Sequence, residues 1–134
     1  MFRKIDAMVL LVSNMKRSVD FYKKTLGLPL RTSTPDWAEF FTDGTKLALH
    51  PMKKKSDARS KSRVGMLVGF MTSSMDEISE SLRKKKVKFI KQPKEESFGK
   101  HAIILDPDGY MISIVQLKAK ASEEVDLFGG LGIE

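Results

Sequence analysis

The chain has 134 residues, enough for one domain with a substantial apolar core or for two small modules that share one. It contains no cysteine, which excludes disulfides, thiolate metal sites and a cysteine nucleophile. Lysine and arginine number 24 against 17 aspartates and glutamates, and the net charge of +7 raises the question of an anionic partner, to be judged by where the charges lie.

Residues 5–12 read as a first strand, entered directly from Met1-Phe2-Arg3-Lys4 without a signal-type apolar core. No apolar run approaches the roughly 20 residues that span a bilayer, so a soluble, cytoplasmic protein is expected. Asn14 is placed to cap a helix whose Met15, Val19, Tyr22 and Leu26 recur at spacings of four, three and four, one buried stripe that ends at Gly27. A short strand over Leu28–Arg31 and a loop over Thr32–Asp36 follow. Trp37–Phe41 reads as a strand that ends at the Asp43-Gly44 turn, and Lys46–His50 closes the first half. Residues 53–63 carry six bases and one acid and read as a solvated linker.

The second half opens with a strand over Val64–Met71. Ser74-Met75-Asp76-Glu77 is a capping box, and Met75, Ile78 and Leu82 mark the buried side of the helix behind it. That helix closes on Arg83-Lys84-Lys85-Lys86, where the dipole favours cations. Val87–Ile90 reads as a short strand, Lys91–Lys100 as a loop, and His101–Leu105 with Tyr110–Gln116 as a last hairpin. The tail, residues 118–134, is glycine-rich and expected to be mobile, with Asp126-Leu127-Phe128 as a candidate docking motif. Both basic runs have these bland explanations and neither is interleaved with stacking aromatics, so nucleic acid is not the expected partner.

The two halves repeat one another. Asp43-Gly44 and Asp108-Gly109, each followed by alternating side chains, lie 65 residues apart, and Met8–Met15 aligns with Val68–Met75 at a spacing of 60. The order strand, helix, then a hairpin ending in a strand implies a βαβββ unit used twice, as modules 1–52 and 64–117. The fold class is therefore α+β: two βαβββ modules forming a curved mixed sheet around a cleft, with the helices outside.

These residues also carry a family pattern. Val12-x2-Met15-x2-Ser18-Val19-x-Phe21-Tyr22-x3-Leu26-Gly27, then Asp43-Gly44-x2-Leu47-Ala48-Leu49-His50, then Phe98-Gly99 and Asp106-Pro107-Asp108-Gly109-Tyr110, resemble the vicinal oxygen chelate superfamily of glyoxalases, bleomycin-resistance proteins and extradiol dioxygenases. The resemblance covers residues 3–117 and implies paired modules around a cleft, often in a homodimer. Metal-using members hold one divalent ion with His, Glu or Gln from four strands, and the corresponding positions here are Ala7, Ala48, Leu67 and Ser113. Two methyls, an isobutyl and one neutral hydroxyl cannot replace the water shell of a hard cation. The resemblance thus implies no metal and no cofactor, and argues against glyoxalase or dioxygenase activity of the metal-dependent kind.

Alternation from the same positions turns Val9 and Leu11, Lys46 and His50, Gly69 and Met71, and Met111 and Val115 toward the cleft, with Trp37, Glu39 and Phe41 on one side of their strand. An apolar concavity with a few polar groups is the usual character of a small-molecule pocket. Trp37, Phe41, Leu67, Met71 and Met111 are candidate walls, and Glu39, His50 and Ser113 candidate orienting groups. The expected function is metal-independent binding of a small, largely apolar or mildly anionic molecule. One alternative is a lyase or isomerase in which His50 works with Glu39, or with a displaced divalent metal, as acid and base. The other is an interaction protein that uses its basic surface and tail. His101, the second of two histidines, opens the strand behind Gly99 and reads as structural or solvated.

Overall fold

Strand pairing sets the architecture of the computed structural model, which describes residues 1–53 and 66–118. The order along the first half is β1 (Ala7–Val12), α1 (Met15–Asp20), β2 (Leu30–Thr34), β3 (Trp37–Phe40) and β4 (Lys46–Pro51). The second half repeats it with β5 (Leu67–Met71), α2 (Met75–Lys84), β6 (Phe89–Glu96), β7 (Gly99–Leu105) and β8 (Met111–Leu117). Each half has its own four-stranded mixed sheet, ordered β1-β4-β3-β2 and β5-β8-β7-β6. In both, the first strand pairs parallel with the last while the other pairs are antiparallel. The fold is α+β, built from two βαβββ modules, and the chain divides into two compact units at Ser62/Arg63.

In the first unit Leu10, Val12, Ala38, Phe40, Leu47 and Leu49 are buried. They belong to one sheet face, because Leu10 pairs with Leu49, Ala38 with Leu49 and Phe40 with Leu47. Tyr22 closes this face from above, its ring centroid 5.9 Å from that of Phe40. Asn14 caps α1 as expected, its side chain accepting from the Arg17 N–H at 3.0 Å. After one and a half turns the helix widens into a π-helical segment over Phe21–Thr25. The burial it achieves differs from the expected stripe: Ser18 and Tyr22 are buried, and Met15, Val19 and Leu26 are half-buried flanks. A small Ser18 lets the helix approach β4 closely, which apolar periodicity does not register.

The second unit repeats this plan with Val68, Ala102, Ile104, Ile112 and Ile114 under Met75 and Leu82 of α2. Ser74 accepts from the Glu77 N–H at 3.2 Å, and the Met75 N–H donates to the Gln116 side chain at 2.6 Å, so the helix start is held from within and from β8. In the turn before β8 the Asp106 carboxylate accepts from the N–H groups of Asp108 (2.9 Å) and Tyr110 (2.8 Å), a structural role for the Asp-Pro-Asp-Gly run. Gly44 and Gly109 have φ of +72° and +86°, the left-handed conformations that a tight Asp-Gly turn requires.

Four expectations about strands are corrected. The loop expected over Lys91–Lys100 is a hairpin, since β6 runs to Glu96 and β7 begins at Gly99. Pro93 does not prevent this because β6 is an edge strand whose register shifts between Lys91 and Lys94, where a missing N–H costs no ladder bond. The strand expected over Trp37–Phe41 ends at Phe40, and Phe41 turns out of it with φ +73°. The short strand expected over Leu28–Arg31 and the loop expected over Thr32–Asp36 give way to β2, Leu30–Thr34. Of the strand expected from Val64, Val64 and Gly65 lie outside the described residues, and β5 begins at Leu67. The linker expected at 53–63, apart from Lys53, and the tail expected at 118–134, apart from Lys118, lie outside the described residues. Among the described residues no helix is long and apolar enough to cross a membrane.

Candidate functional site

Each sheet has one face packed on a helix and one free of it. Register assigns the helix-free side chains directly, because cross-strand partners point the same way. In the first unit Ala7 pairs with Lys46, Val9 with Ala48, Leu11 with His50, and Glu39 with Ala48. In the second, Leu67 pairs with Met111, Gly69 with Ser113, Met71 with Val115, and His101 and Ile103 with Val115 and Ser113. The central Ala48 is fully buried and Ser113 nearly so, while Val9, Leu11, Leu67 and Met71 remain 43–51% exposed. Large apolar side chains left in water on the helix-free faces are the feature that most resembles a binding surface.

The polar groups of the first unit gather around Trp37. Its indole N–H donates to Glu39 Oε1 at 2.9 Å, and Arg31 approaches Glu39 Oε2 at 3.5 Å. The His50 ring lies edge-on to Trp37 with centroids 6.2 Å apart. His50 Nδ1 stands 2.8 Å from the Pro51 carbonyl, which can only accept, so Nδ1 carries the proton and Nε2 is the acceptor in the neutral ring. Glu39 and His50 thus share a face but hydrogen-bond elsewhere, Glu39 to Trp37 and Arg31. That arrangement orients a carboxylate and an aromatic wall; it does not hold Glu39 against His50 as a proton-transfer couple. Phe41 lies beyond β3, and strand alternation does not set its direction.

A second polar group lies on β6, β7 and β8. His101 Nε2 is 2.7 Å from Ser113 Oγ, His101 Nδ1 is 3.1 Å from Lys91 Nζ, and Lys91 Nζ is 2.8 Å from Glu96 Oε1. The Phe98 ring stands 6.0 Å from His101 at 60°. Burial, and then the Lys91 ammonium, hold the His101 pKa below the ordinary histidine value, with Glu96 pulling weakly the other way. The hydrogen bond from Lys91 holds Glu96 below the ordinary glutamate value. Lys91 and Glu96 escaped sequence reasoning because the segment that carries them reads as a loop. Their charges gave no signal of their own among so many surface lysines and glutamates.

The residues do not fit a divalent ion. The positions that the resemblance matches to metal ligands carry Ala7, Ala48, Leu67 and Ser113, and the single side-chain oxygen among them is already hydrogen-bonded to His101 at 2.7 Å. Among the described residues no three His, Asp or Glu side chains come together as a metal-binding group.

Comparison with known proteins adds to this geometry. A sequence model of the Glyoxalase/Bleomycin resistance protein/Dioxygenase superfamily matches residues 4–114. A protein of Bacillus subtilis (strain 168), uncharacterized protein YraH, is 28% identical over 120 residues, covering 81% of this chain and 94% of the relative. Among solved structures, a member of the same superfamily from Sphaerobacter thermophilus DSM 20745 is similar with a TM-score of 0.68 and 23% identity, over 86% of this chain and 98% of that one. TnmS3, an antibiotic binding protein from Streptomyces sp. CB03234, is similar with a TM-score of 0.67 and 22% identity, over 87% and 98%.

Proposed function

Because the chain belongs to the glyoxalase/bleomycin resistance protein/dioxygenase superfamily, we propose that it is a metal-independent member that binds a small, largely apolar or mildly anionic molecule on its helix-free sheet faces. The observation that carries this reading is the exchange of ligand positions for Ala7, Ala48, Leu67 and Ser113 within faces that keep Leu67 and Met71 half-exposed. A metal-using site needs donors there, whereas a binding site needs apolar wall with a few oriented polar groups. On the first face Trp37 and Phe41 are the walls and Glu39 and His50 the orienting groups; on the second, Leu67, Met71 and Met111 are the walls and Ser113 the orienting group. The likeness to an antibiotic binding protein supports binding over turnover. As in many members, the working form is a homodimer.

A thermal-shift screen of small apolar and aromatic molecules, followed by calorimetric titration of the hits with and without EDTA, tests the reading. Binding should survive EDTA and be lost in the Trp37→Ala/His50→Ala double variant. Unchanged affinity in that variant would reject the assignment of the first face, and a hit that is turned over only with metal would reject metal independence.

A further inference from the structure

The Glu96, Lys91, His101, Ser113 chain has a hydrogen-bond direction that can be worked out from its chemistry. A lysine ammonium has donors and no acceptor, so at 3.1 Å from Lys91 Nζ the His101 Nδ1 must be the unprotonated nitrogen. Glu96, 2.8 Å from the same ammonium, holds Lys91 in place. With Nδ1 accepting, the proton of the neutral ring is on Nε2, and Nε2 donates to Ser113 Oγ at 2.7 Å. One lone pair of the serine oxygen is therefore taken by His101, while its own proton is left to donate. No second partner of Ser113 Oγ is found among the described residues.

The arrangement is the reverse of a serine nucleophile with its base. There a carboxylate accepts from Nδ1 and leaves Nε2 bare to take the serine proton. Here a cation stands at Nδ1, Nε2 is already protonated, and His101 cannot deprotonate Ser113. What the chain produces instead is a hydroxyl polarised by the donor behind it and placed beside Leu67, Met71 and Met111 on the helix-free face.

We propose that Ser113 is a fixed hydrogen-bond donor that selects ligands through an oxygen acceptor, a carboxylate, phenolate or carbonyl on an apolar body, with Lys91 and Glu96 as positioning residues that set the His101 tautomer. This rests on the ligand-binding reading above. It names the chemical group that the second face prefers, an oxygen acceptor over an ammonium or other donor-only group, because the Ser113 proton has no other partner among the described residues while one lone pair is already taken.

Long-range proton–nitrogen correlation spectra of the intact, nitrogen-15-labelled protein near pH 7 test the chain without any variant. His101 should show a protonated Nε2 and a bare Nδ1, and a bare Nε2 overturns the proposal. Benzoate, acetophenone and benzylamine, which share one ring, then serve as probes of the face. Benzoate and acetophenone should shift the Ser113 and His101 resonances, Ser113→Ala should weaken them by about tenfold, and benzylamine should bind more weakly than either. Benzylamine binding as tightly as benzoate, or affinities indifferent to Ser113→Ala, would overturn the donor assignment and leave the ligand-binding reading standing. Absence of binding by all three would overturn that reading, and this inference with it.

Discussion

His101 shows how one residue can couple stability to pH. In the folded chain burial and the Lys91 ammonium depress its pKa, whereas in the unfolded chain it titrates near the ordinary value of about 6.5. At a pH between the two values the unfolded state binds more protons, so stability rises with pH through that window. The neutral ring's contribution is complete above about pH 6.5 and is lost as the pH falls through the folded value. A glutamine at this position can accept from Lys91 and donate to Ser113 without titrating. Melting temperatures of the parent and His101→Gln should therefore diverge most above pH 7 and converge, or cross, toward pH 5. A difference constant with pH would mean that His101 does not titrate against its folded partners. Gly99, two residues earlier, has φ +144°, and a Cβ there would run into the Gln116 carbonyl, so the strand that presents His101 can begin only with glycine.

At the scale of elements, α2 rests on a start that is held twice. Ser74 accepts from Glu77 N–H, and Gln116 reaches from β8 to the Met75 N–H. Replacing Ser74 with alanine should cost about 1 kcal/mol, the usual value of an N-cap, and lower the melting temperature by about 3 °C for a chain of this size. An unchanged midpoint in urea would show that Gln116 alone holds this helix end. The Ser74 cap was legible because Ser-x-x-Glu before an apolar stripe is a local pattern; Gln116 was not, because it is brought to the helix from 41 residues away. The same distinction explains β6. Lys91 to Glu96 has the composition of a loop, and only β7 beside it makes it a strand, one residue of which then reaches His101.

For the molecule as a whole, the repeat does more than set element order. The spacing of 60 between β1 and β5 and of 65 between β4 and β8 returns in the registers themselves, where Ala7 pairs with Lys46 and Leu67 with Met111. Corresponding residues are thus paired in the same way in both halves, so the internal offset that relates Leu67 to Ala7 holds in the strand pairing itself. Untagged protein should accordingly contain far less than one equivalent of metal by elemental analysis. Its melting temperature should be unmoved by Ni, Zn, Mn, Fe(II) or Mg. An ion bound at a hundred times its dissociation constant would stabilise the fold by about 2.7 kcal/mol, a shift of several degrees that such a scan would not miss. Stoichiometric metal with that shift would overturn metal independence.

The sequence by itself determined the α+β class, the doubled βαβββ order, the caps, the Asp-Gly turns and the alternation that puts Ala48 on the helix-free face of the first sheet and Leu67 and Ser113 on that of the second. All of these follow from short-range chemistry or from a period of two along a strand. Tertiary structure alone decided the partners. It joined Trp37 to Glu39 and Arg31, separated the Glu39 hydrogen bonds from His50, and assembled Lys91, Glu96, His101 and Ser113 from three strands. A side chain's hydrogen-bond partner depends on the register of neighbouring strands and on bulges such as that between Lys91 and Lys94, and neither is written in the spacing of residues along one strand.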